Sequence, residues 1–174
     1  MLVFQYGSNC LESQVNSKDR LCGDAKFIDI AETVVEFELA FDVWSCNRAC
    51  AASDIVRKPG GRVWGVLYKV PDYLIGKKTA NARGRKSFDQ IEGSNYKREE
   101  IDVRRSNDSD LVRALTYIVK CPKPGLKTSI DYVRYIICGL RERGVDNVAP
   151  QYIAKVKKIA TANNPNIAAE VAKL

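Results

Sequence analysis

The order of elements along the chain predicts an α+β fold: a mixed, strongly curved sheet or small β-barrel with helices packed outside it. Strand patterns come first with only short helical pieces inserted, and the longer helices are collected at the end. Two strand stretches carry most of this. Val35, Phe37, Leu39, Phe41 and Val43 alternate with Glu36, Glu38 and Asp42, which gives one face to the core and one to water. Arg62–Val70, RVWGVLYKV, is apolar almost throughout and is expected to be buried on both faces. Gly65 in its middle marks a close backbone approach or a bend of a curved sheet.

Taken in order, Leu2–Tyr6 is a short apolar strand that stops at Gly7-Ser8-Asn9, and Leu11–Lys18 follows as a short helix. A strand-loop-helix turn of this kind points backbone N–H groups into one small volume, which suits an anion or a developing oxyanion. Gly7 is free to take a positive φ there, and Ser8 or Asn9 to cap the helix. Lys26–Ala31 and Ala31–Trp44 are strands, Cys46–Asp54 an irregular loop, and Lys58-Pro59-Gly60-Gly61-Arg62 a strong turn signal. Pro71–Ile75 starts a short helix, and Gly76–Ser87, without apolar periodicity, reads as a mobile basic surface loop.

Phe88–Glu92 is helical with Gly93 as its stop. Tyr96–Arg105 and Val112–Cys121 pair as a hairpin across the polar turn Ser106–Asp110. After the loop Pro122–Thr128, Ser129-Ile130-Asp131 caps a helix over Asp131–Glu142, with Tyr132, Ile136, Ile137 and Leu140 on an apolar stripe. Gly144 ends it, Pro150 opens a helix over Gln151–Ala162, and Asn163-Asn164-Pro165 breaks that one. The expected organisation is one domain over residues 1–162 and a weakly held helical tail over 163–174, with Trp44 and Trp64 in the core.

A chain of 174 residues, 45% hydrophobic and 28% charged, can build its core without disulfides or metals. No apolar run approaches the roughly 20 residues that span a bilayer, and no secretory signal is visible, so the cytoplasm is the expected compartment. The net charge of +7 would suit an acidic ligand or nucleic acid. Yet the basic clusters alternate with Glu and Asp and lie in no nucleic-acid motif, so a solvated surface is the better account. The six cysteines read as reduced thiols packed as small apolar side chains. The sequence contains no histidine, and Cys46 and Cys50 form the one close cysteine pair, which disfavours a metal site. The missing histidine also removes Ser-His-Asp and Cys-His machinery, leaving acid–base work to carboxylates, tyrosines or lysines.

Three stretches stand in a meaningful order: Phe4-x-Tyr6-Gly7-Ser8-Asn9, the strand Val63–Tyr68, and Phe88-Asp89-Gln90-Ile91-Glu92-Gly93 followed by Tyr96. Together they resemble the gamma-glutamylcyclotransferase family, over a span from Val3 to Tyr152 in which Tyr96, Tyr117 and Tyr132 lie where the family has aromatic hydroxyls. The resemblance implies an enzyme that cyclises a γ-glutamyl group to 5-oxoproline and releases an amino acid or amine. It implies Glu92 as the catalytic acid–base, with Tyr6, Gly7, Ser8, Asn9, Tyr96, Tyr117 and Tyr132 holding the substrate. It further implies a small γ-glutamyl donor as partner, with no metal and no cofactor. From the residues alone, Glu92 sits poorly at the negative end of a helix unless something holds it. The loop Gly76–Ser87 looks longer and more basic than usual and the tail after Asn163 has no counterpart, which bears on the donor more than on the reaction.

Other readings stay open beside it: a cyclotransferase specific for γ-glutamylamines or for glutathione, or a non-enzymatic binding module on the same fold. Asn9 argues against the glutathione branch, where the loop would read Tyr-Gly-Ser-Leu, and Glu92 argues against binding alone. The residues neither require nor forbid a homodimer. If the thiols are reduced, adding a reductant leaves the melting temperature unchanged in a calorimetric scan; a clear fall would reveal a structural disulfide.

Overall fold

The computed structural model describes residues 1–174. Seven strands are present: β1 (Leu2–Gln5), β2 (Lys26–Thr33), β3 (Phe37–Ser45), β4 (Cys50–Arg57), β5 (Trp64–Lys69), β6 (Tyr96–Arg105) and β7 (Leu111–Val119). Five of them close into a barrel in the order β1-β5-β2-β6-β7, while β3 and β4 form a separate two-stranded ribbon. The pairs within the barrel are antiparallel except at the seam, where β1 runs parallel to β7 with Val3 opposite Leu115. The α+β architecture with a curved sheet closed into a barrel is thus the one its sequence predicts.

Strand β5 is the inner stave. Gly65, Val66, Leu67 and Tyr68 are buried, because β1 and β2 flank the strand and both its faces are covered. Gly65 has no room for a side chain: a Cβ there would come 2.7 Å from the Phe4 ring and collide with the Gln5 carbonyl. In β3 the alternation holds, with Phe37, Leu39, Phe41 and Val43 buried and Glu38 and Asp42 half-buried between them. The long strand expected over Ala31–Trp44 breaks at residues 34–36, so that its first part joins the barrel and its second the ribbon.

Strand β4 is the main departure. The segment Cys46–Asp54 reads as a loop, because Cys50-Ala51-Ala52-Ser53 lacks the β-branched and aromatic residues that mark strands. Its small side chains instead let a strand be buried from Cys50 to Ile55, paired along β3 on one edge. Segment 76–87 is also more ordered than expected. After the short first helix, α1 (Glu12–Val15), it supplies the second: α2 spans Lys77–Asn81, buries Ala80, and is followed by Arg85, which donates to the Leu21 carbonyl at 2.6 Å and pairs with Asp24 at 2.7 Å.

The remaining helices are α3 (Phe88–Glu92), α4 (Ile130–Glu142), α5 (Val145–Val148), α6 (Pro150–Asn163) and α7 (Ala168–Lys173). Ser129 caps α4 by accepting from the Tyr132 N–H at 3.2 Å, and Gly144 at φ +81 ends it. Tyr132, Val133, Ile136, Ile137 and Leu140 make its buried stripe. The tail is docked rather than weakly held, since Ile167 and Val171 are buried and Asn164 donates to the Thr128 carbonyl at 2.8 Å. Trp44 is 45% exposed and Trp64 half-buried, so neither is a core residue. All six cysteines are free thiols, but only Cys10 and Cys50 are buried; the other four are exposed and do not pack as apolar side chains. No helix is long and apolar enough to cross a membrane.

Helix α4 also sets the position of the turn that follows β1. Gly139 faces that turn so closely that a Cβ would come 2.8 Å from Leu11 Cα and closer still to its amide nitrogen. Alanine at Gly139 gains about 1 kcal/mol in helix propensity. It meets backbone rather than a yielding side chain, however, and overpacking typically costs 1–3 kcal/mol or more. The clash wins: Gly139→Ala lowers the urea midpoint by a net equivalent of about 1–2 kcal/mol, and an unchanged midpoint would show that the turn can move away.

Candidate active site

Strand β1 delivers Gln5 and Tyr6 to the end of the barrel, and the chain then enters a 3-10 turn, Ser8–Cys10. Gly7 has φ −102, so the positive φ its sequence context allows is not used. Glycine is needed there for another reason: a Cβ would collide with Ser53 Oγ of β4 and lie 3.4 Å from the Tyr132 hydroxyl. Neither Ser8 nor Asn9 caps the following helix, contrary to expectation. The backbone N–H groups of Gly7, Ser8 and Asn9 make no hydrogen bond within the protein. Three donors are therefore free at the mouth of one tight turn.

Glu92 approaches from the other side as the last residue of α3. A capping box between Ser87 and Gln90 starts that helix, with hydrogen bonds of 3.2 and 2.9 Å, and Gly93 at φ +84 ends it. The Glu92 carboxylate accepts from Asn9 Nδ2 at 2.9 Å, and the Asn9 amide oxygen accepts in turn from Arg20 at 2.8 Å. This relay answers the unfavourable helix end, since Asn9 holds the carboxylate against the dipole. The residue as a whole is half-buried, but its carboxylate is turned inward. Burial pushes its pKa up to about 7, opposed less strongly by the Arg20 charge and the amides of Asn9 and Gln5.

Four tyrosines surround the carboxylate, and Ser53 joins two of them, Tyr96 and Tyr132. Tyr132 OH accepts from the Ser53 N–H at 3.1 Å and shares a hydrogen bond with Ser53 Oγ at 2.9 Å. Tyr96 OH donates to the Ser53 carbonyl at 2.7 Å, and Tyr6 OH donates to the Tyr117 carbonyl. Tyr117 stacks on Phe88 at 5.4 Å and donates to Asp89 at 2.9 Å, which is paired with Arg98 at 3.2 Å. Burial pushes all four phenols above their ordinary pKa, so they are neutral at physiological pH. Tyr6, Tyr96 and Tyr117 give their hydroxyl protons to protein acceptors and offer lone pairs to anything that enters, which suits an ammonium group.

All eight predicted residues, Glu92, Tyr6, Gly7, Ser8, Asn9, Tyr96, Tyr117 and Tyr132, line one inner cavity of about 20 Å³, together with Gln5 and Ser53. Ser8, Asn9, Glu92, Tyr96 and Tyr132 also border an outer cleft of about 290 Å³ that includes Arg20 and Arg48. A larger hollow of about 470 Å³ lies beyond Asn47 and Arg48 and does not reach Glu92. Sequence reasoning missed Gln5, Ser53, Arg20 and Arg48. Only Gln5 left a signal, as a polar residue within an apolar strand; Ser53 lay in the stretch read as loop. No group of three or more His, Cys, Asp or Glu side chains is arranged to hold a metal.

The sequence pattern of the family described as gamma-glutamyl cyclotransferase, AIG2-like, matches residues 3–135. The chain belongs to this family. Among solved structures, a gamma-glutamyl cyclotransferase is 22% identical with a TM-score of 0.73, the match covering 90% of this chain and 86% of that one. An uncharacterized human protein is 25% identical with a TM-score of 0.71, covering 90% and 85%. YkqA from Bacillus subtilis is 17% identical with a TM-score of 0.72, covering 94% of this chain but 55% of that one. A search of curated proteins finds no match. The gamma-glutamyl cyclotransferase fold thus extends beyond the matched pattern into the C-terminal helices.

The raised pKa of Glu92 has a stability consequence with a definite sign. A carboxylate at about 7 when folded, against an ordinary 4.5, is most favourable to folding below pH 4.5, and that contribution is lost as pH rises through 7. Glu92→Gln, neutral at every pH, is expected to exceed the native protein in stability by about 1–3 kcal/mol at pH 8. The difference shrinks at pH 5. Urea unfolding at the two pH values measures it; a pH-independent difference would mean that the carboxylate is not desolvated.

Proposed function

We propose that this protein is a gamma-glutamylcyclotransferase that converts a γ-glutamyl donor into 5-oxoproline and a free amino acid or amine. The observation that carries the reading is the Glu92 carboxylate held by Asn9 beside the unbonded N–H groups of Gly7, Ser8 and Asn9. The α-amine of the glutamyl group attacks its own γ-carbonyl carbon; the new C–N bond closes the five-membered ring and the bond to the departing nitrogen breaks. The α-ammonium first gives a proton to Glu92, whose pKa near 7 keeps a large share of it ionised at neutral pH and makes that share basic enough to accept. Protonated Glu92 then passes that proton to the departing nitrogen, and the second ring-nitrogen proton leaves to water. The turn's N–H groups stabilise the oxyanion of the tetrahedral intermediate.

Because attack is intramolecular, holding the ring geometry contributes an effective molarity on the order of 10⁵ M or more. This chemistry calls for a base and oxyanion donors, and not for a metal or other cofactor, and its expected compartment is the cytoplasm. The inner cavity of about 20 Å³ has space for little more than a water molecule. The glutamyl group therefore lodges in the outer cleft, with its reacting carbonyl oxygen entering the inner cavity. The neutral tyrosines offer lone pairs to the α-ammonium and exclude water from it.

Glu92→Gln keeps size and hydrogen-bonding reach but accepts no proton at neutral pH. It is expected to lower kcat by ~10²–10⁴-fold with donor affinity roughly kept, measured as 5-oxoproline release across a panel of γ-glutamyl donors. Ser8→Ala changes kcat by about threefold or less, since the turn acts through its backbone. In the native enzyme kcat/KM rises with pH through about 7 as Glu92 ionises. Near-normal turnover by Glu92→Gln on the best donor would remove Glu92 from the mechanism.

A further inference from the structure

The outer cleft has an unbalanced charge. Its lining contains two guanidinium groups, Arg20 and Arg48, and Glu92 is its one acidic side chain. Neither arginine takes part in an ion pair, and they differ in what holds them. Arg20 donates to Asn9 and is committed to the relay that positions Glu92. Arg48 stacks over Tyr135, its guanidinium carbon 4.2 Å from the ring centroid and 5.7 Å from that of Tyr132, and its side-chain N–H groups make no hydrogen bond to the protein. Burial pushes Arg20 below its ordinary pKa; Glu92 opposes this and the charge of Arg48 adds to it. A half-buried guanidinium, fixed against an aromatic face with its fork of donors open, is matched to a carboxylate.

The donor has two places where a carboxylate can sit. The α-carboxylate of the glutamyl half shares a carbon with the amine that Glu92 deprotonates, so it stays beside Glu92, on the Arg20 side. Arg48 lies farther out, where it also borders the hollow beyond Asn47. The departing half of the donor runs outward past it. Resting on the cyclisation reading above, we infer that Arg48 receives a carboxylate on the departing half of the donor, so that the enzyme prefers γ-glutamyl-amino acids to γ-glutamyl-amines.

γ-Glutamyl-alanine and γ-glutamyl-ethylamide differ only by that carboxylate. The native enzyme is expected to favour the alanine donor by roughly 10–100-fold in kcat/KM, the range of a charge-assisted hydrogen bond partly screened by solvent. Arg48→Gln lowers kcat/KM for γ-glutamyl-alanine at least tenfold more than for the ethylamide, and Arg48→Lys restores part of the preference. Equal losses on both donors would assign Arg48 to the glutamyl half and overturn the inference, as would a native enzyme without preference. Calorimetric binding of the two compounds to Glu92→Gln asks the same question without turnover. A preference in binding that Arg48→Gln removes, with no 5-oxoproline formed by the native protein, keeps the subsite and sinks the cyclisation reading. Equal or absent binding of both compounds sinks the subsite.

Discussion

The site depends on one steric constraint: the 3-10 turn after β1 is held between two surfaces that tolerate only hydrogen. Gly7 lies against Ser53 of β4 on one side, and Gly139 of α4 against Leu11 on the other. Backbone packed this tightly has two consequences. The turn's N–H groups are left without an acceptor at residues that line the cavity. Asn9 is fixed with its amide toward Glu92, since Arg20 takes its oxygen and leaves the NH₂ for the carboxylate. A turn free to relax would satisfy its own donors and lose both arrangements.

The electrostatics of the cavity follow from what is missing as well as from what is present. With no histidine in the chain, the group of the site that titrates near neutrality is a carboxylate moved up. Burial among phenols does this for Glu92. Burial moves the phenols away from usefulness as acids, and the protons of Tyr6, Tyr96 and Tyr117 are engaged by the Tyr117 and Ser53 carbonyls and by Asp89. They act as a neutral, oxygen-lined wall, while Arg20 keeps the carboxylate from rising further.

Much of this was legible in the sequence, for identifiable physical reasons. The alternation in β3 and the unbroken apolar run of β5 declare their environments directly, and Gly93 after Glu92 declares a helix stop. The resemblance implies that Glu92 and the Tyr6–Asn9 turn share one cavity, and both line the inner one. What stayed hidden was tertiary. Cys50-Ala51-Ala52-Ser53 forms a strand only because neighbours close in on small side chains, and with that strand went Ser53, the residue that joins Tyr96 and Tyr132. Gly7 was expected for its dihedral freedom and is required for its lack of a Cβ, a distinction visible only once Ser53 is in place. Trp44, by contrast, is exposed because it follows Val43 and so falls on the Glu38–Asp42 side of the strand, the side that the alternation itself assigns to water.

The seam of the barrel sets the order in which these parts can come together. Its closing pair joins Val3 of the first strand to Leu115 of the last. The loop to be closed is nearly two thirds of the chain, and its entropy is lost before the contact contributes anything. The β6–β7 hairpin and the β3–β4 ribbon can form from neighbouring residues, but β1 has no partner nearer in sequence than β5. The turn that supplies the oxyanion donors is carried by β1 and meets Glu92 and Ser53 only across that distance. A partly folded chain can therefore hold both local pairs and still have no site, so chemical competence arrives with barrel closure and not before it.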